Sequence, residues 1–218
     1  MKVLISGSSN GIGLAAAKKY LELGHEVYGL DLQKSNISAP NYYHFVCDIR
    51  KKETLPTIED IDILFNNAGL QNSENDIENN LVGTINVTEK YGLNNENIKS
   101  ILFNASASAL SGQEFPLYVA SKAGVVGYMR NIAIKLAPQK VTVNAICFGG
   151  VLTESNKQVT QNTIKWNEVM DVTPLKKWMT VEETTDWVIF LTLTNKSMSG
   201  QSLLVDNGEK DLTPTFVW

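Results

Sequence analysis

Histidine and cysteine are nearly missing from this chain, with two of each among 218 residues. His25 and His44 sit far apart with no ligand cluster around them, so the sequence offers no metal centre. Cys47 and Cys147 form no CxxC pair and read as buried apolar residues of a reducing compartment. Long apolar runs are missing too. No stretch approaches the roughly 20 residues that span a bilayer. After Met1-Lys2 only Val3, Leu4 and Ile5 precede a polar turn, so no signal peptide is expected and the localisation expected is cytoplasmic. Basic clusters are absent: 19 lysines and arginines face 23 acidic residues, a net charge of -4. Nucleic acid and acidic membranes are therefore poor partners. There is no repeat, low-complexity tract or proline-rich linker, and 43% hydrophobic content marks a globular protein. The length suits one domain over residues 1–218.

What is present is a rhythm. Short apolar runs at Val3–Ser6, Val27–Leu30, His44–Cys47, Ile61–Phe65, Ile101–Asn104, Val141–Ile146 and Leu203–Asp206 read as strands. Helical patterns cover Ile12–Leu23, roughly Ile77–Tyr91, and Pro116–Ala137. Apolar runs without strict alternation suit strands buried on both faces. Strand–helix alternation implies right-handed crossovers and a parallel sheet. Residues 33–42 contain a proline and make a true helix doubtful there, which would leave that side of any site more open. Only Glu154–Val181 breaks the rhythm. It reads either as a mobile flap over a site or as a fixed pair of short surface helices.

Gly7, Gly11 and Gly13 follow the first strand directly. A strand emptying into a glycine turn that opens a helix makes an anion site. Backbone N–H groups point outward, the helix dipole favours negative charge, and missing Cβ atoms admit a pyrophosphate. Ser8, Ser9 and Asn10 fill the turn without an arginine or lysine. Asp31 ends the second strand, where a carboxylate can accept both ribose hydroxyls of an adenosine and would repel a 2′-phosphate. That favours NAD over NADP, although Lys34 lies nearby. Farther on, "YVASK" sets Tyr118 and Lys122 four apart, on one face of a helix. An ammonium beside a phenol stabilises the phenolate. A tyrosine tuned in this way can take a proton from an alcohol or return it to a carbonyl.

These pieces resemble the short-chain dehydrogenase/reductase family, in its shorter classical branch. The resemblance runs through "GSSNGIG" at 7–13, "CDIR" at 47–50, "NNAG" at 66–69, "NNLVGTINVT" at 79–88, "NAS" at 104–106, "YVASK" at 118–122, "VNAICFGGVLT" at 143–153 and "SGQSLLVDNG" at 199–208. It implies a Rossmann-like, doubly wound parallel sheet in three α/β/α layers. Gly7, Ser9, Asn10, Gly11, Ile12 and Gly13 are then implied at the pyrophosphate, and Asp48 and Ile49 at the adenine. Asn67, Ala68 and Gly69 are implied along the middle of the cofactor, and Val151 and Thr153 at the nicotinamide carboxamide. In the family the tyrosine matched by Tyr118 is the general acid/base. The match to Lys122 lowers its pKa and holds the nicotinamide ribose, and the match to Asn80 positions a relay water.

A serine polarises the substrate carbonyl in this family, usually thirteen residues before the tyrosine. Here that position is Ala105, so Ser106 becomes the expected serine with Ser108 second. The resemblance implies hydride transfer between NAD(H) and a small alcohol or ketone. Two other readings stay open: an NADPH-dependent reductase of 3-oxoacyl thioesters on acyl-carrier protein, and a dinucleotide sensor without chemistry. A homodimer or homotetramer is implied. Ala120, Ala123, Gly124 and Gly127 offer a helix face for close packing, either on a second copy or on the sheet of their own chain, and the tail "EKDLTPTFVW" offers an apolar end for docking on a neighbouring subunit.

Overall fold

The computed structural model describes residues 1–210 and Leu212. The apolar tail expected to dock on a neighbour lies almost entirely outside those residues. The described chain is built on one parallel sheet of seven strands: β1 (Lys2–Ser6), β2 (Glu26–Asp31), β3 (Tyr42–Val46), β4 (Ile63–Asn66), β5 (Ser100–Asn104), β6 (Thr142–Phe148) and β7 (Ser202–Val205). Their order is β3-β2-β1-β4-β5-β6-β7. That is the doubly wound, Rossmann-like order, with its switch point between β1 and β4. The central strands β1, β4 and β5 are buried almost throughout, which is why their sequences are continuous apolar runs.

Helix α1 (Gly11–Glu22) buries Gly13, Ala16, Ala17 and Tyr20, one stripe at helical spacing. It lies on one face of the sheet, in a core with Val3, Ile5, Phe65 and Leu191. The opposite core holds Leu4, Leu64, Phe103, Val125 and Met129. It is covered by α2 (Gly83–Thr88), by the π-turns Ile77–Val82 and Glu89–Leu93 on either side of α2, and by a later, longer helix. The one-turn helix α3 is Ser108–Ser111 and the long helix α4 is Pro116–Leu136, opening on a proline whose missing N–H needs no partner there.

Residues 32–41 contain no helix, as the proline and short length predict, and β3 begins at Tyr42, two residues earlier than its apolar pattern indicates. Residues 154–181 contain a 3-10 turn (Glu154–Asn156) and two short helices with no buried residue, α5 (Lys157–Thr160) and α6 (Thr163–Val172). The segment is pinned by an isolated bridge between Val151 and Met179, outside the sheet, and ends on α7 (Val181–Ile189), which starts with a Thr180–Glu183 capping box.

Strand register decides where the chemistry can gather. Ser6 pairs with Leu30 and Asn66, and Asn66 with Phe103. Asn104 pairs with Ile146. The carboxyl ends of five strands therefore finish together, and the turns leaving them share one rim.

Candidate active site

Along that rim runs a cavity of ≈ 610 Å³. Its walls include Gly7, Asn10, Gly11, Ile12, Asp31, Asp48, Ile49, Asn67, Ala68 and Gly69 at one end and middle, with Ser106, Tyr118, Lys122, Val151 and Thr153 at the other. Sequence positions spread over most of the chain thus meet in one groove. Ser9, Gly13, Asn80 and Ser108 are not on its walls, and each stands behind a residue that is.

The glycine turn is held from below. A Cβ on Gly13 would lie 2.0 Å from the Gly7 carbonyl oxygen and 2.5 Å from Asn67 Nδ2, so only glycine lets α1 seat this closely. Asn67 Nδ2 donates to the carbonyls of Ser6 and Gly7 at 3.2 and 3.0 Å. Asn10, extended at φ -143, gives α1 no side-chain cap, and its first turn carries no acid. The N–H groups of that turn are left for a ligand at the positive end of the helix. This cradle fits a diphosphate.

Asp31 closes one end of the groove. Its Oδ2 accepts from the Ser9 N–H and its Oδ1 from the Gln33 N–H, both at 2.9 Å, which fixes the carboxylate in place. The Gln33 carbonyl accepts from Ser9 Oγ at 3.2 Å, and its side-chain oxygen accepts from Asn10 Nδ2 at 2.8 Å. Gln33 therefore walls the space beyond Asp31. Asp48 is clamped by the Arg50 guanidinium, which holds its carboxyl below the usual range.

At the other end Lys122 Nζ donates to the Asn104 carbonyl at 2.8 Å, and the Asn104 side chain donates to Asn67 Oδ1 at 2.9 Å. Ser106 accepts from the Ser108 N–H and donates to Ser108 Oγ, each at 3.1 Å. Of the two serines, Ser106 is the one on the cavity wall. Thr153 precedes the 3-10 turn but spends no hydroxyl on capping it, and its methyl lies 3.7 Å from where a Gly11 Cβ would be. Trp178 lies so flat on Gly150 that a Cβ there would stand 2.0 Å from the indole.

A family model described as enoyl-(acyl carrier protein) reductase matches residues 7–210. A short chain dehydrogenase of Penicillium brasilianum is 32% identical over 68% of this chain and 68% of its own. The chain belongs to the classical short-chain dehydrogenase/reductase family. Members are NAD(P)-dependent oxidoreductases acting on CH–OH and keto groups, and so is this protein. Among relatives matching nearly end to end, a 3-oxoacyl-[acyl-carrier-protein] reductase of Buchnera aphidicola is 28% identical over 94% of this chain and 95% of that one. A short chain dehydrogenase family protein of Francisella tularensis superposes with a TM-score of 0.83 at 25% identity, over 95% of this chain and 98% of that one.

The electrostatics of this oxidoreductase's pair differ from the simplest expectation. Burial pushes the Tyr118 phenol up to about 12; the facing Ser106 hydroxyl works the other way, and Glu114, Asp76 and Cys147 add to the rise. Burial pushes Lys122, 4% exposed, down to about 8. Without cofactor, desolvation outweighs the ammonium that the Y-x-x-x-K spacing sets beside the phenol. Asn80 also departs from the simple picture. Its Nδ2 donates to the Leu70 carbonyl and to Ser121 Oγ, and its Oδ1 accepts from the Leu70 N–H and Asn79 Nδ2. The amide is fully committed and has no position left for a relay water.

Sequence reading missed Gln33, Asn104, Trp178, Glu209 and Lys210, all on the cavity wall. Glu209 accepts from the Trp178 indole at 3.2 Å and pairs with Lys210, whose ammonium also donates to Gln113 at 2.8 Å. Gln33 was findable two residues after Asp31, and Asn104 as the last residue of its strand. The other three reach the groove through folding at long range, which no local pattern announces.

Proposed function

We propose that this protein transfers a hydride between NAD(H) and a small polar alcohol or ketone, with Tyr118 as general acid/base. One observation carries the reading: a single groove has Asp31 at one end and Ser106, Tyr118 and Lys122 together at the other. The cofactor supplies the hydride donor or acceptor. Gly7, Ser9, Asn10, Gly11, Ile12 and Gly13 form the cradle for its diphosphate, with Ser9 and Gly13 acting from behind. Asp31 takes the adenosine ribose hydroxyls, and Asp48 and Ile49 flank the base. Asn67, Ala68 and Gly69 line the middle. Val151 and Thr153 hold the carboxamide, for which Thr153 keeps its hydroxyl unspent.

In the reductive direction Tyr118 gives its phenolic proton to the carbonyl oxygen while Ser106 donates to the same oxygen, and the reverse steps serve oxidation. Lys122 stabilises the phenolate and holds the nicotinamide ribose. Asn80 fixes the turn at Leu70 and ties it to Ser121 on α4. Residues 154–181 cover the substrate.

NAD is preferred because the Asp31 carboxylate, with Gln33 beside it, occupies the place of a 2′-phosphate and repels it. The thioester reading is disfavoured by the same means: a carrier-bound thioester arrives with a phosphodiester, whereas the substrate end presents Glu114 and Glu209 and the already paired Lys210. A sensor has no use for a buried lysine set one helical turn from a tyrosine on the same groove wall. The assignment is to the cytoplasm, where the free, buried Cys47 and Cys147 stay reduced; no described helix is long and apolar enough to cross a membrane. The partner is a second copy of this chain, in a homodimer or homotetramer, meeting through the α4 face of Ala120, Ala123 and Gly127; Gly124 instead faces Leu81 of its own chain, whose Cδ2 would stand 2.8 Å from a Cβ there. Turnover of small ketones, sugars and acyl thioesters with NADH and NADPH side by side tests the reading. Preference for NADPH, or for thioesters, overturns it.

A further inference from the structure

His44 has no part in the chemistry above, yet it stands beside the Asp31 end of the groove. β3 pairs it with Gly29, two residues before Asp31 on β2. Tyr42 and His44 share one face of their strand and stack, with ring centres 6.0 Å apart. The imidazole Nε2 donates to the Gln33 carbonyl at 2.8 Å; a carbonyl only accepts, so that nitrogen carries a proton. The Nδ1 lies 3.2 Å from Tyr42 Oη, which lies 3.2 Å from Ser8 Oγ inside the glycine turn. A Cβ on Gly29 would collide with both Ser8 Oγ and Tyr42 Oη, so the glycine is what admits this contact over β2. His44 is thereby tied to both turns, the one leaving β1 and the one leaving β2.

The turn after β2 depends on that tie. Residues 32–41 form no helix, and Leu32, Gln33 and Lys34 are all exposed. Gln33 is held instead by side chains: Asp31 takes its N–H, Asn10 its amide oxygen, and Ser9 and His44 its carbonyl. Among these four, His44 alone comes from outside the two turns, and its bond to the carbonyl is shorter than the 3.2 Å bond from Ser9. Lys34 follows directly. It is the cation nearest to Asp31 in sequence, and it stands off the groove wall that Gln33 occupies.

We propose that His44 is a positioning residue for cofactor selectivity, whose bond to the Gln33 carbonyl keeps Gln33 against Asp31 and Lys34 away from a ribose 2′-phosphate. The inference rests on the reading of Asp31 as the carboxylate at the adenosine ribose. Asp31 repels the phosphate, and the His44 anchor withholds the one neighbouring ammonium that would offset the repulsion. Selectivity of this kind needs both parts, an unfavourable charge and no relief for it. Losing the anchor leaves Gln33 its bonds to Asp31, Ser9 and Asn10, so the turn loosens and lets Lys34 approach without the domain unfolding.

Calorimetric titration with NAD+ and NADP+ tests this without turnover, through the ratio of the two dissociation constants. His44→Phe keeps the stack on Tyr42 and removes the donor. The NADP+-to-NAD+ ratio is expected to fall about tenfold, the worth of one hydrogen bond to a charged group. In a Lys34→Ala background the same substitution is expected to leave the ratio unmoved, because the ammonium is gone. A merely structural role for His44 would act alike in both backgrounds. An unmoved ratio in folded His44→Phe, or an equal fall with and without Lys34, overturns the proposal. Should His44→Phe not fold, His44→Thr suits a strand and is too short to reach Gln33, and it carries the same expectations and the same overturning results. The wild-type ratio tests a different statement: tighter NADP+ there counts against the reading of Asp31, while the change on replacing His44 still decides the anchor.

Discussion

Lys122 Nζ stands 5.7 Å from the centre of the Tyr118 ring, one helical turn farther along α4. The amine does not touch the phenolic oxygen and spends a hydrogen bond on the Asn104 carbonyl. The tyrosine must therefore move the proton itself. Tyr118→Phe removes only the hydroxyl and leaves the ring packing and the diphosphate cradle alone. Turnover is expected to fall by about 10³-fold, with NADH affinity, read from its fluorescence, within a factor of about 3. Unchanged turnover would remove Tyr118 from the mechanism.

The two serines separate by the same logic. Ser106 is on the wall, and its hydroxyl is a rotor that can leave Ser108 for a ligand oxygen. Ser106→Ala should cost about 10²-fold or more in kcat, the usual cost of losing one oxyanion donor. Ser108 only braces Ser106 through its N–H and Oγ, and Ser108→Ala keeps the N–H bond. Its expected cost is under about 10-fold. The reverse order in steady-state kinetics would exchange the roles of the two residues.

Asp31 does two jobs that one substitution removes together. On the proposed reading its carboxylate repels a 2′-phosphate, and it also consumes the Ser9 and Gln33 N–H groups. Asp31→Ala removes the charge and frees two donors at the same place. The ratio of kcat/KM for NADPH over NADH is expected to rise by about 10²-fold, since a like charge a few ångströms away is worth about 3 kcal/mol at an effective dielectric near 20. A ratio that does not move would mean that another group sets the preference.

What the sequence showed and hid follows from range. The strands, the glycine turn and the Tyr118–Lys122 spacing are legible because each is written within a few consecutive residues or in a fixed alternation. The Asn80 amide is not. Its expected role as a water holder depends on whether other groups take its four bonding positions, and Leu70, Asn79 and Ser121 do so only once the π-turn forms against α4. The raised phenol is hidden for a like reason, because desolvation is set by the whole surroundings of Tyr118 and not by its helical neighbour.

Lys122 leaves a mark on stability as well as on rate. Burial lowers its pKa from 10.5 to about 8, so between those values the unfolded chain binds the proton that the folded chain has released. Stability from this residue therefore rises with pH through that window, and below about pH 8 the buried ammonium carries its full penalty. Denaturant melts of wild type and Lys122→Met, compared from pH 7 to 10.5, should show the wild type gaining on the variant by up to about 3 kcal/mol. A difference that stays flat with pH would mean that the amine is not desolvated in solution.

The α4 surface opposite the sheet gives the last test. Ala120, Ala123 and Gly127 are exposed along it, followed by Ile134 at 76% exposure. Nothing lies within 4 Å of where a Gly127 Cβ would be, so the single chain has room for a large side chain there. In a helix interior arginine is the better residue by nearly 1 kcal/mol. Gly127→Arg should accordingly leave the thermal unfolding of the single chain unchanged or slightly raised. If a second copy packs its own α4 against this face, the two helices approach to about 8–10 Å only where such positions are small. The arginine then forces them apart, and sedimentation velocity should show the oligomer shifted towards monomer with its fold intact. Should the assembly persist at the same concentration, the copies meet through another surface, and α4 is exposed in the assembled protein as it is in the single chain.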